Sequence, residues 1–414
     1  MAADIGMHAE QSALHKMSYF FLVAIFFFSF LSKAGMNIFN GFLFLASFLL
    51  LWRAGLEPLR AYPWWVFIVI PLSIGLLVSP LTLAGGVEET GHFLSRFKFF
   101  LLPIAIVLVA HDRKAFLNLF IAVWVSALLA TLYGLSHAEQ RVMGGFHGIH
   151  FILRNADMLI VVILTMMVFL LDRDFYSAHK KWVWLMWPSL LLFGYGLVMS
   201  ASRGSWLGFF IGILAFAVFF YRRLLVVIFV VAVAVVMFAN DSKFFHEAES
   251  MAELEANHSN SARLQLWRSG WDFSLDHFWL GAGHSQVEPL FLDFFYSKPA
   301  DYQEKYNLAS QYPWDFHNSY LQILVEWGAL YFIALAVGGI VLFFKLYQSL
   351  SRVSPSNRYF VKAAIVVSVG YLAAQFFHNE LYGYGTVIYL LLLTSGLSAV
   401  SWQGNESEAG RRDN

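Results

Sequence analysis

The chain contains no cysteine, which excludes disulfides, thiolate metal sites and cysteine nucleophiles. It carries little charge: only 13% of its 414 residues are Asp, Glu, Lys or Arg, about half the share usual in soluble domains. That excludes an ordinary soluble protein. The few charges cancel, 27 basic against 27 acidic, so bulk charge gives no case for a nucleic-acid partner. Residues 1–16 are polar and lack a cleavable signal, so the first span is expected to be retained. No repeat of fixed period occurs, and low complexity is confined to the tail after Trp402. His246, His258, His277 and His284 lack zinc spacing, so no metal site is expected. Gly281-Ala282-Gly283 follows no strand and lacks the third glycine of a dinucleotide fingerprint, and it reads as a turn. No Ser/His/Asp set stands in a recognisable context.

What is abundant is apolar: 59% of the chain is hydrophobic, in runs of about 16 to 28 residues separated by short polar clusters, the pattern of transmembrane helices. Twelve spans are expected, near residues 17–32, 36–52, 64–79, 97–110, 115–135, 151–171, 182–200, 205–220, 223–239, 318–344, 359–379 and 382–400. Alternate short loops carry Arg53 and Arg60; Arg113 and Lys114; Arg173, Lys180 and Lys181; Arg222 and Arg223; Lys345, Arg352 and Arg358. This excess marks the cytoplasmic side and puts both termini inside. The only long polar stretch, residues 240–316 between spans 9 and 10, then faces outward, into the periplasm in a Gram-negative cell. The expected fold is an all-α integral membrane protein, one polytopic domain over residues 1–414, with a large periplasmic loop containing short helices.

The polar residues worth weighing sit at span boundaries. Arg203 follows Ser200-Ala201-Ser202 and opens the next span. A helix N-terminus favours an anion, and a guanidinium adds bidentate phosphate geometry. An arginine bound to lipid headgroups fits the same position. In the insert, residues 257–261 (Asn-His-Ser-Asn-Ser) suit a helix start, and Leu264, Trp267, Trp271 and Leu275 form one stripe beyond it, as in an interfacial helix. Arg263 and Arg268 stand about 140° apart on that helix, so at most one faces a given site. His317 sits at a span start with Asp315 as its expected N-cap. An imidazole there is expected to be neutral at pH 7 and able to take a proton, although by position alone an interfacial histidine capping the helix is the better reading. Gly144-Gly145 with His147 and His150 forms an external loop of no assigned role, and Arg154 and Asp157, at i and i+3, are expected to pair with each other.

Three stretches together resemble one family. Ser200 to Leu207 (Ser-Ala-Ser-Arg-Gly-Ser-Trp-Leu) resembles the arginine motif of the bacterial O-antigen ligase and polymerase superfamily. Arg263-Leu264-Gln265-Leu266-Trp267, running on to Phe278-Trp279-Leu280-Gly281-Ala282-Gly283, is similar to its external-loop motif. His317-Asn318, nine residues, Gly328, two residues and Tyr331 is similar to the ligase histidine motif. The resemblance covers about residues 140 to 400. It implies a GT-C-like, metal-independent, inverting glycosyltransferase of the inner membrane, with no cofactor and an active site facing the periplasm. Its donor would be O-antigen polysaccharide on undecaprenyl pyrophosphate, its acceptor a sugar hydroxyl of the lipid A core oligosaccharide, with membrane lipids around both. His317 would be the general base. Arg203 and Arg263 would hold the pyrophosphate, with Arg268 as the second choice to Arg263, and Asn318 would join the substrate-binding residues. A polymerase with the same donor and a lipid-linked repeat as acceptor is the nearest alternative. A polysaccharide flippase is a further one, although it would need polar residues near the midplane rather than at span ends.

Overall fold

The computed structural model describes residues 2–136, 152–238, 258–311 and 313–402. The Gly144–His150 loop, the acidic run from His246 to Glu255 and the C-terminal arginines lie outside the described residues, as does the Arg154 side chain.

Among the described residues every regular element is helical. The chain runs through α1 (Ala2–Phe28), α2 (Lys33–Ala54), α3 (Val66–Val78), α4 (Gly86–Phe97), α5 (Leu102–Val109), α6 (Arg113–Ser136), α7 (Ile152–Leu171), α8 (Arg173–Ala178), α9 (Lys180–Met199), α10 (Arg203–Phe219) and α11 (Arg223–Phe238). Three helices of the insert follow, α12 (His258–Asp276), α13 (Val287–Ser297) and α14 (Ala300–Lys305). The last three are α15 (Ser319–Arg352), α16 (Arg358–Ala374) and α17 (Gly385–Ser398).

Among the described residues, six stretches are long and apolar enough to cross a membrane: Lys33–Ala54, Pro63–Leu81, Gly86–Val109, Arg113–Ser136, Lys180–Met199 and Ser319–Arg352. Four more apolar helices are shorter, Ala13–Phe28, Ala156–Leu171, Arg203–Phe219 and Gly385–Ser398. Where twelve spans are expected, six therefore meet the full length. On α15, Ile333, Val337, Ile340 and Phe344 are all half exposed or more. Their spacing makes one apolar outer stripe, which water would not tolerate and lipid would. α17 is the opposite case, buried along its whole length. This is the build of a multi-pass membrane protein.

Two of the expected spans differ in detail. The stretch expected at 97–110 begins earlier, because α4 precedes α5 with only a 3₁₀ turn between them. Glu88 and Glu89 make α4 look too polar for a span, yet Glu89 is buried. Its carboxylate accepts the His284 N–H at 2.7 Å and the Ser285 N–H at 3.0 Å, so a protein partner replaces water. The second difference is in α15. It reads as one continuous span, but Gly328 takes φ 71° and ψ 176°, a conformation essentially reserved for glycine, and the helix breaks there. The freed backbone groups are taken up by residues 278–283: Ala282 and Gly283 donate to the carbonyls of Val325 and Glu326 at 2.8 and 2.9 Å, and Ala329 donates to Phe278 at 2.7 Å. Residues 83 and 84 add a third strand of chain, donating to the carbonyls of Gly281 and Ala282 at 3.1 and 3.0 Å. Irregular backbone inside a membrane protein survives only with such internal partners.

Small residues bring α10 and α16 into close contact. A methyl on Gly208 would stand 2.7 Å from the Ala374 Cβ and from the Gly370 carbonyl. One turn toward the N-terminus, a methyl on Gly204 would stand 2.6 Å from the Phe377 Cβ. Without a Cβ at these places the backbones approach and gain dispersion contacts, the usual device where lipid supplies no hydrophobic drive. The consequence is positional: the start of α10, with Arg203, is pressed onto the non-helical residues 375–378.

Candidate functional site

The turn that presents Arg203 is built from small polar residues. Ala201 has φ 51°, in the left-handed region costly for a residue with a Cβ. Ser200 Oγ accepts the Ser202 N–H at 3.2 Å, and the Trp206 indole donates to the Leu197 carbonyl at 2.8 Å. These contacts end α9 and restart the chain as α10, with Arg203 at the first helical position.

Across from it stands α12, close to the helix expected from residue 262 onward. Its buried face is Ala262, Leu266, Gly270 and Phe273, while Trp271 and Leu275 are exposed. Trp271 and Leu275 therefore face away from the protein core, while Trp267 of the same stripe packs against it. A cavity of about 180 Å³ opens between the two elements, lined by Arg203, Gly204, Asn260, Arg263, Trp267 and Phe377 among others. Arg203 and Arg263 share this cavity; Arg268 is exposed and is no part of its wall. Burial, then the neighbouring Arg203 charge, hold the Arg263 guanidinium below its ordinary pKa, and Asp315 acts against both. A guanidinium is in general a permanent cation at working pH. Two like charges in one partly dry cavity repel each other, and an anion between them relieves that repulsion.

His317 precedes α15 with φ 48°, a second strained non-glycine backbone. Its N–H donates to Asp315 Oδ1 at 2.8 Å, and Nδ1 lies 3.7 Å from Asp315 Oδ2. The N-cap expected of Asp315 belongs instead to Asn318, whose Oδ1 accepts the N–H groups of Tyr320 at 3.0 Å and Leu321 at 3.1 Å. Asp315 is thus left to face the imidazole. That corrects the capping assignment, and it commits the Asn318 oxygen to the helix end rather than to a ligand. Burial, with the charges of Arg263 and His378, pushes the His317 pKa below its ordinary value; Asp315 draws it up. His317 is not in the cavity wall. It is joined to it through the reach of the Arg263 charge and through Trp267, whose indole donates to the Phe316 carbonyl at 2.9 Å.

The structure also brings together residues that sequence reasoning left apart. Asp157 and His378 are both 0% exposed, with Nδ1 of the ring 2.8 Å from Oδ1 and 3.0 Å from Oδ2. Ser205 Oγ donates to Asp157 Oδ1 at 2.8 Å, and Gln375 Nε2 to Oδ2 at 3.3 Å. Ser202 Oγ completes the cluster, 3.2 Å from His378 Nε2 and 2.7 Å from Ser205 Oγ. Asp157 was expected to pair with Arg154; its described partners come from two other parts of the chain, Ser205 and the stretch holding Gln375 and His378. The one signal available was a carboxylate inside an apolar run, which in a membrane protein marks a partner or a site. A second buried cluster supports the α15 break: Glu326 binds Arg96 and His284, each at 3.1 Å, and accepts from Gln322 at 2.8 Å. Arg96 lies 4.6 Å above the Tyr382 ring, and the Tyr382 hydroxyl donates to Asn379.

These features define an all-helical, multi-pass membrane protein with two guanidinium groups on one cavity and a histidine–aspartate pair beside it. Residues 188–336, which include both arginines and His317, match a family described as O-antigen ligase. That match supports an O-antigen ligase/polymerase family protein. No curated protein matches the chain.

Proposed function

We propose that the protein transfers O-antigen polysaccharide from undecaprenyl pyrophosphate to a sugar hydroxyl of the lipid A core. The family match supports ligase or polymerase activity on lipid-linked polysaccharide. What carries the finer reading is the pairing of Arg203 with Arg263 on one cavity, next to a histidine held by Asp315.

In this reading the pyrophosphate of the donor lies between the two guanidinium groups. The acceptor oxygen attacks the anomeric carbon as its proton passes to His317, and the bond from that carbon to the pyrophosphate oxygen breaks. The electron pair leaves with the pyrophosphate, whose growing charge the arginines meet in a poorly hydrated site. Attack opposite the leaving group inverts the anomeric centre. A low pKa keeps His317 unprotonated and ready, and Asp315 stabilises the imidazolium that forms. The same residues favour an outward-facing site: the short basic loops lie away from the cavity in the chain's alternation, so the insert 240–316 and the site belong on the periplasmic side.

The polymerase is separated from the ligase by the acceptor alone. Deleting the protein in its native cell and running the surface polysaccharide on a gel distinguishes them. Long chains missing from lipid A core but accumulating on the lipid carrier are the expected result. Single repeats still attached to core would overturn the ligase reading in favour of a polymerase.

A further inference from the structure

We infer that Asp157 and His378 are positioning residues that hold Arg203 in register with the His317–Asp315 pair, an inference that rests on the cavity being the pyrophosphate site. Neither side chain lines the cavity, and both are fully buried. What they do is tie together the two elements that carry the reacting groups.

The connection runs through residues 375–379. On one side His378 Nε2 meets Ser202, and Gly204 packs so closely that a methyl there would lie 2.7 Å from the same nitrogen. On the other side the Ser319 N–H donates to the carbonyls of Gln375 and His378 at 3.0 and 2.9 Å, just past the Asn318 cap. Asn379 then donates to Asp315 Oδ1 at 3.3 Å, the carboxylate that faces His317. A short stretch of irregular chain thus touches the arginine turn at one residue and the base-orienting carboxylate at the next. Asp157 anchors it from α7, with Ser205, Gln375 and His378 all turned to its two oxygens.

Four contacts close a ring through Asp157, His378, Ser202 and Ser205. The ring also draws the Ser202 hydroxyl away from the start of α10, where this N-cap residue makes no side-chain cap bond.

The test uses the full-length protein in detergent or nanodiscs, with inorganic pyrophosphate as titrant and a transfer assay for donor KM. Asp157→Asn keeps the shape but turns a donor toward three donors. We expect pyrophosphate Kd and donor KM to rise about tenfold, as loss of a hydrogen bond to a charged group would give, with acceptor KM unchanged. KM does not depend on how much protein is folded, so a purely structural role would lower yield and apparent kcat and leave donor KM alone. Ser202→Ala, which removes one hydroxyl, guards against an Asp157→Asn protein that does not accumulate; a threefold rise in donor KM is expected there. Wild-type Kd and donor KM in Ser202→Ala and in any recoverable Asp157→Asn would overturn the inference. Wild-type protein that binds no pyrophosphate would instead overturn the donor-site reading on which it rests.

Discussion

Arg203 and Arg263 open onto the same cavity of about 180 Å³ although one starts a membrane helix and the other lies on a helix of the polar insert. Their mutual repulsion is unfavourable in the empty protein and favourable once a dianion is bound. Arg203→Lys is therefore expected to lower kcat/KM for the lipid-linked donor by about tenfold or more, because an ammonium cannot replace a bidentate fork. Full activity in this variant, measured by transfer in proteoliposomes, would make Arg203 a headgroup anchor instead.

The two arginines of α12 make an internal comparison. Arg263 lines the cavity, whereas Arg268 is exposed on another face. Arg263→Ala should reduce transfer by about 100-fold, the usual scale for removing one group that meets developing negative charge. Arg268→Ala should stay within about twofold, as expected of an exposed charge far from the chemistry. Equal losses in the two variants would mean that the insert acts through its overall charge and not through this cavity.

His317→Ala should lower transfer by a factor of about 10² to 10⁴, the range of a lost general base, while the protein still inserts. Asp315→Asn is the finer probe. Asp315 raises the His317 pKa, against burial and the charges of Arg263 and His378 that lower it. Removing the carboxylate lets the pKa fall further, so the acidic limb of the pH–rate profile should move to lower pH. The plateau should fall too, since a weaker base accepts the proton less readily. An acidic limb that stays in place, or moves upward, would separate Asp315 from the imidazole.

Charged residues at the ends of apolar runs were legible in the sequence, and this is why Arg203 and His317 stand out without coordinates, whereas Arg263, inside the polar insert, stands out by the resemblance of its loop motif. The insert helix was legible as well: the helical run expected from residue 262 lies within the observed His258–Asp276, although the expected capping residues 258–261 form its first turn. The Asp157–His378 contact was not: the two residues lie 221 positions apart, and neither has a local pattern that points to the other. The early start of the span expected at 97–110 was not legible for the same kind of reason, since the partners of Glu89 are the backbone N–H groups of His284 and Ser285, 195 and 196 positions away. The choice of Asp315 as the cap failed over a distance of three residues. Both Asp315 and Asn318 can cap, and the positive φ at His317 decides between them.

The break in α15 was the least legible feature, because hydropathy runs unbroken through it. Gly328 is the residue that permits it. At φ 71° and ψ 176° an added methyl would lie 2.4 Å from the Trp279 carbonyl oxygen, so alanine meets both backbone strain, about 1–3 kcal/mol, and a collision that must push residues 278–283 off the helix. Those residues satisfy the freed groups of Val325, Glu326 and Ala329; once displaced, they leave polar backbone unpaired among apolar side chains. Gly328→Ala should therefore lower the thermal unfolding midpoint of the purified protein and expose the segment between α12 and α13 to protease. Loss of transfer should follow from the displaced insert, even though Gly328 touches neither arginine cavity nor histidine. The matching control is Gly339→Ala, eleven residues along the same helix, where a methyl meets nothing within 4 Å. If Gly328→Ala melts and digests like that control, the laced backbone contributes nothing to holding the insert in place.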